Sequence, residues 1–273
     1  MQSVPAMARV RVVSVTSGKG GVGKSHLAVN IATLCAKRGQ QVLVFDADGG
    51  LSNVDVLLGA RPAQHVGDLL DGASLDAVLH QVKPGLWLLA GAPGERRLAH
   101  LEDGARHTLS AAWDQIARRF DVVVVDVGAG VGDDVLFFTS AGQTALLVVT
   151  DEPTSLADAV VMLHALRAKT SVREVDVVVN CVRTARSAEV VFARLQQAAE
   201  GCALRLRFTA HVPDDQTVRR AAMAGKPLVE LAPTSPASRA FERLTQVLLA
   251  APLRTPSGGV WFSEFQLVAA PRS

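Results

Sequence analysis

Eight consecutive residues, Gly18-Lys19-Gly20-Gly21-Val22-Gly23-Lys24-Ser25, constrain this chain more than any other stretch. They follow a β-branched run, Val10 to Val15, and precede Leu27, Ile31 and Leu34 at helical spacing, so the chain passes from strand to helix across a glycine-rich loop. Backbone N–H groups crowded at a helix start form a cradle for phosphate oxygens. The pattern GxxxxGK[ST] assigns Lys24 to the β/γ-phosphates and the Ser25 hydroxyl to Mg²⁺. Gly18, Gly20 and Gly23 also spell GxGxxG, and Asp46 stands where a ribose-binding acid of an NAD site is expected. Lys24 and Ser25 favour the phosphate loop, leaving an NAD-dependent oxidoreductase as the remote alternative.

Further apolar runs span Gln41 to Phe45, Leu86 to Leu89, Asp121 to Val125, Ala145 to Val149, Val175 to Val179 and Leu204 to His211. Runs as unbroken as VVVV at 122–125 imply burial on both faces, the mark of a parallel sheet covered by helices. The expectation is an α/β fold, a doubly wound, mostly parallel sheet flanked by helices. It occupies residues 1–250, with an amphipathic tail at 260–273, a candidate membrane-targeting helix, joined through the Pro/Gly linker APLRTPSGG at 251–259. A net charge of +2, from 28 basic and 26 acidic residues, argues against a protein built to coat nucleic acid. Cys35, Cys181 and Cys202 show no CxxC spacing and read as small hydrophobes in a reducing compartment. No apolar run of signal-peptide or membrane-spanning length occurs, so a cytoplasmic location is expected, at most peripheral on the inner face of the membrane.

A second buried strand ends in Asp126, the place of a carboxylate that holds the waters of Mg²⁺. The expected metal set is Ser25, Asp46 and Asp126. The guanine-reading pattern Asn-Lys-x-Asp is replaced by Asn180-Cys181-Val182-Arg183, which favours adenine, with the Asn180 amide at the purine edge. ATP and Mg²⁺ are the expected cofactors. The nucleotide-binding set is Gly18, Lys19, Gly20, Gly21, Val22, Gly23, Lys24, Ser25 and His26, joined by Asn180.

With its early lysine, Lys19, the loop resembles the deviant Walker A motif of the MinD/ParA family of dimeric ATPases. That resemblance implies that Lys19 reaches the ATP of a second subunit, where added positive charge suits phosphoryl transfer. It also implies a homodimer interface that includes Lys19, Glu152 and Asp158. The stretch DADGGLSNVD at 46–55 resembles the family's switch I, with Asp48 orienting the attacking water, and Asp126 to Val131 resembles switch II. Catalysis is thus assigned to Lys19 and Asp48. Within the family, DADGGLSNVDVLLG at 46–59, VDVGAGVGDDV at 125–135, TDEPTSLADAV at 150–160 and HVPDDQTVRRA at 211–221 resemble the flagellar-number regulators FlhG and FleN. The last of these implies that Pro213 and Asp214 join the nucleotide-binding set, their backbone flanking the adenine. The implied role is a slow ATPase acting as a dimerisation switch. Its implied partners are an FlhF-type GTPase, a flagellar master transcription regulator and flagellar switch proteins. Other readings within the family are a MinD-like positioning or ParA-like DNA-partitioning ATPase. MQSVPAMAR carries no DQAxxLR-like sequence of the kind these regulators use to stimulate FlhF. Gly49 stands where they often have Leu or Ile.

Placed on a helix, Trp261, Phe262, Phe265 and Val268 share an apolar face about 120° wide, which suits a membrane surface. Arg183 to Arg220 holds seven Arg against four acids. A surplus this small, without a helix-turn-helix pattern, does not lead us to expect DNA binding.

Overall fold

A computed structural model describes residues 10–49, 53–91 and 103–253. The tail residues Trp261, Phe262, Phe265 and Val268 and the segment MQSVPAMAR lie outside them.

The first βαβ unit runs through β1 (Arg11–Ser17), α1 (Lys24–Lys37) and β2 (Val42–Ala47). It is followed by the short helices α2 (Val54–Leu58), α3 (Val66–Leu70) and α4 (Leu75–Val78), then β3 (Leu79–Lys83) and β4 (Leu86–Leu89). The chain continues as α5 (Asp103–Arg119), β5 (Val122–Ala129), α6 (Asp133–Ala141), β6 (Thr144–Val149), α7 (Pro153–Lys169), β7 (Glu174–Val182), α8 (Ala185–Ala198) and β8 (Arg205–Pro213). Among the described residues, α9 (Gln216–Met223), α10 (Leu228–Leu231) and α11 (Pro236–Ala250) follow.

The strands form one eight-stranded sheet in the order β3-β4-β2-β5-β1-β6-β7-β8. All pairings are parallel except β3 with β4. The seven expected strands are present; β3 is an addition. Its segment LHQVK is half-exposed on the sheet edge, where no unbroken apolar run is required.

The sheet is buried on both sides, as its Val-rich strands require. One face packs against α3 to α8, with Phe137, Phe138, Trp113 and Leu163 at its centre. The other packs against α1, α2 and α9 to α11, with Leu27, Ile31, Phe241 and Leu244. Arg11 closes the last helix from the bottom of β1, its guanidinium donating to the carbonyls of Leu249 and Ala251 at 3.2 and 2.7 Å. The three cysteines are free, and burial pushes the Cys35 thiol up to about 12.

Candidate functional site

The carboxyl ends of β1, β2 and β5 meet at mid-sheet, and the glycine loop rises from the first of them. This is the crevice in which open α/β sheets bind ligands. Two loop glycines are forced by contact. A Cβ on Gly18 would lie 2.3 Å from the Asp158 backbone in α7. Gly23 starts α1 at φ 96°, and a Cβ there would meet the Asn180 amide nitrogen at 2.3 Å.

Lys24 opens α1 and is 8% exposed. Burial lowers its pKa, while Asp126 and then Asp48 pull it back up. Asp46 and Asp126 lie opposite each other on β2 and β5 and are 1% and 2% exposed. Burial first, then the neighbouring Asp46, push Asp126 up to about 7, against the Ser25 hydroxyl that donates to it and the charge of Lys24. Its Oδ1 is buried without a hydrogen-bond partner. A buried carboxylate oxygen left unbonded next to a hydroxyl suits a hard cation, so Ser25 and Asp126 fit the expected metal. Asp46, the third member of the expected metal set, also has a role in the fold. Its Oδ1 accepts from Asp48 N at 3.2 Å and its Oδ2 from Val54 N at 3.3 Å, so it clamps both ends of the switch I segment. The Asp48 carboxylate reaches across to switch II, with its Oδ1 3.6 Å from where a Cβ of Gly128 would stand.

A cavity of about 660 Å³ opens above the loop. It is walled by Gly20, Gly21, Gly23, Lys24, Ser25, His26 and Asp48, and on its outer side by Asn53, Val56 and Leu57 of the α2 region and Ala222 of α9. Desolvation lowers the His26 pKa, and its carbonyl accepts from Asn30. The outer wall was not foreseen, because apolar and small residues carry no motif.

Asn180, Pro213 and Asp214 gather at the carboxyl ends of β7 and β8, where Val182 pairs with Pro213, and stand outside that wall. The Asn180 amide donates to the Val22 carbonyl at 2.7 Å. One of its two N–H groups therefore braces the loop, a role the sequence reading did not give it. Lys19 forms an ion pair with Glu152 and donates to Thr154 Oγ1 at 2.8 Å, both at the start of α7. The resemblance put Lys19 and Glu152 at a dimer interface; their pairing within one chain, and the part of Thr154, were not foreseen. Asp158 meets the loop through its main chain.

A parallel sheet whose central strand feeds a glycine loop, with one lysine buried over paired aspartates and another on the surface, defines a P-loop nucleotide-binding protein. Residues 13–228 match the model of the CobQ/CobB/MinD/ParA nucleotide-binding domain, and the chain belongs to that family. It is an ATPase of the MinD/ParA kind, which closes the dinucleotide reading. It is 35% identical to the antiactivator FleN of Pseudomonas aeruginosa, over 99% of this chain and 98% of that protein. To the flagellum site-determining protein YlxH of Helicobacter pylori it is 28% identical, over 88% and 82% of the two chains. The structure superposes on the MinD cell division protein of Aquifex aeolicus with a TM-score of 0.71 at 26% identity, covering 90% of this chain and all of that one (100%).

Proposed function

We propose that the protein is an ATP-driven dimerisation switch with slow hydrolysis that sets flagellar number or placement. The observation that carries this is the second lysine. Lys19 is held at the surface beside its own phosphate loop, exposed enough to meet a nucleotide bound by a second copy. The name of one relative, a flagellum site-determining protein, supports the flagellar setting, and that of the other, an antiactivator, supports a regulatory role.

ATP is the nucleotide of this reading, with Gly18 to His26 around its phosphates and Asn180, Pro213 and Asp214 on the adenine side. Mg²⁺, held by Ser25 and Asp126 with Asp46 behind them, would supply positive charge where negative charge develops. Lys24 neutralises the phosphates from within, and Asp48 accepts a hydrogen bond from the attacking water. Lys19 donates from one copy to the other, next to Glu152 and Asp158. In this reading the ATP-bound dimer acts on an FlhF-type GTPase, a flagellar master transcription regulator and flagellar switch proteins. It works in the cytoplasm and on the inner face of the membrane. Attachment falls to the segment 260–273, whose Trp261, Phe262, Phe265 and Val268 would share one apolar face on a helix.

Asp48→Ala tests the switch. With ATP and Mg²⁺ the variant should sediment as a stable dimer, while the wild type returns to monomer as ATP is consumed. The same dimer should pellet with anionic phospholipid vesicles, and removal of residues 260–273 should abolish pelleting. A variant that stays monomeric with ATP removes the switch from this reading.

A further inference from the structure

A contact between two glycines outside the phosphate loop ties switch I to a fixed part of the fold. Gly59 caps the five-residue helix α2 in the left-handed region, at φ 63°. A Cβ on it would lie 2.6 Å from the Gly225 carbonyl oxygen. Seen from the other side, a Cβ on Gly225, also at positive φ, would sit 3.3 Å from the Val56 carbonyl and 3.5 Å from Gly59 Cα. A methyl group on Gly59 has no room, and one on Gly225 fits only if the α2 backbone gives by a few tenths of an ångström.

The Gly225 side of this contact is anchored. Gly225 N and Lys226 N close the end of α9 onto the carbonyls of Ala222 and Ala221. The next helix, α10, is bound to α1 twice, by Val229 N donating to Asn30 Oδ1 and by Lys37 donating to the Val229 carbonyl. The Gly59 side is held by packing, with Val54, Leu57 and Leu58 of α2 buried in the core, and the glycine contact sets how closely the helix can settle there. Helix α2 is little more than one turn, and its first N–H, from Val54, bonds to the same Asp46 carboxylate that holds Asp48 N. A displacement of α2 therefore pulls on one oxygen of Asp46 and turns the other, which carries Asp48. The same α2 and α9 residues, Val56, Leu57 and Ala222, wall the cavity next to Asp48.

We propose that Gly59 and Gly225 are positioning residues for hydrolysis: their backbone contact sets the place of α2, and through the Asp46 carboxylate the place of Asp48. This rests on the assignment of Asp48 to the attacking water. It places the stop that fixes switch I for the reaction at the α2–α9 junction, away from the phosphates. Side chains that pry the junction apart slow the chemical step, because small displacements of a reacting geometry cost rate steeply. Nucleotide binding changes little, because the loop makes the phosphate contacts and neither glycine lines the cavity.

The test compares Gly59→Ala and Gly225→Ala with Gly39→Ala. Gly39, at φ 83° after α1, has nothing within 4 Å of its Cβ position, so it carries the same left-handed strain without the contact. Wild type and all three variants are assayed for steady-state ATP hydrolysis and for ADP affinity by calorimetry, with melting curves to confirm folding. Gly59→Ala and Gly225→Ala should lose at least about tenfold in kcat with ADP affinity within about twofold of wild type. Gly39→Ala should match wild type in both. Wild-type kcat in Gly59→Ala, or an equal loss in Gly39→Ala, overturns the proposal. So does a loss of ADP affinity that accounts for the loss of rate. If the wild type does not hydrolyse ATP, the catalytic assignment of Asp48 fails first, and the junction with it.

Discussion

Two pairs of residues face each other across neighbouring parallel strands of the same sheet, and each contains a buried aspartate. On β7 and β8 the register places Asp176 opposite Arg207. The guanidinium meets both carboxylate oxygens, at 2.6 and 2.7 Å, with Glu174 a further 3.9 Å contact, and its own pKa is raised, chiefly by the hydrogen bond to Asp176. On β2 and β5 the register places Asp46 opposite Asp126, carboxylate against carboxylate. Like charges across a buried sheet position are unfavourable, and here one of the two carries an unbonded oxygen. The first pair is complete and belongs to the fold. The second is incomplete, and a cation would complete it: in part Lys24, and in the function proposed above the metal that would come with the nucleotide. A buried charge marks a site when its partner is missing, not merely when it is buried.

The largest effect should come from breaking the complete pair. Arg207→Met leaves Asp176 buried without its counter-charge, at a cost of about 3 kcal/mol, the low end of the range because Arg207 keeps 38% of its side chain exposed. A melting curve should fall by roughly 8 °C, with ADP affinity of the folded protein unchanged. A melting point within a degree of wild type would remove the contrast from its structural side.

Lys24→Ala attacks the incomplete pair through the partner it does have. Nucleotide affinity in calorimetry should drop roughly hundredfold, because charge-assisted bonds to the phosphates disappear. Stability of the free protein should hardly move, since the lysine's burial already works against its charge. A large fall in melting point with affinity preserved would reverse the roles given to the two pairs.

How much of this was legible in the sequence depends on the range of the signal. The glycine loop, the strands around it and Asp126 at the end of VVVV are local patterns, each written in fewer than about ten residues, and the structure has them at those positions. Strand β3 escaped because an edge strand needs no apolar run. The bond from Asn180 to Val22, the clamp of Asp46 on Asp48 and Val54, and the closeness of Gly59 to Gly225 all depend on how distant segments dock. A glycine in the sequence says that something needs room; only the fold says what. Thr154 was missed for the same reason, since nothing in TDEPTS shows that its hydroxyl faces Lys19.

The smallest expected effect sharpens the comparison most, because its sign is opposite to that of Arg207→Met. Asp126 is held up at about 7 in the fold, chiefly by burial and then by Asp46, against an ordinary value of 3.8. Between those two values the unfolded chain has released a proton that the folded chain still holds, so this group's contribution to stability falls as pH rises through the window and is gone above pH 7. Asp126→Asn removes the charge and retains an oxygen that can accept from Ser25. The metal-free variant should therefore melt higher than wild type at pH 8, by about 4 °C or more. The gap should narrow as pH falls from 7 and close below about pH 4, where both side chains are neutral. Mg²⁺ with ADP should raise the melting point of the wild type at pH 8 more than that of the variant, because the cation favours the ionised carboxylate. Equal melting points of the two metal-free proteins at pH 8 would mean that Asp126 is as well satisfied as Asp176, and that the opposed aspartates are not the unfinished half of a metal site.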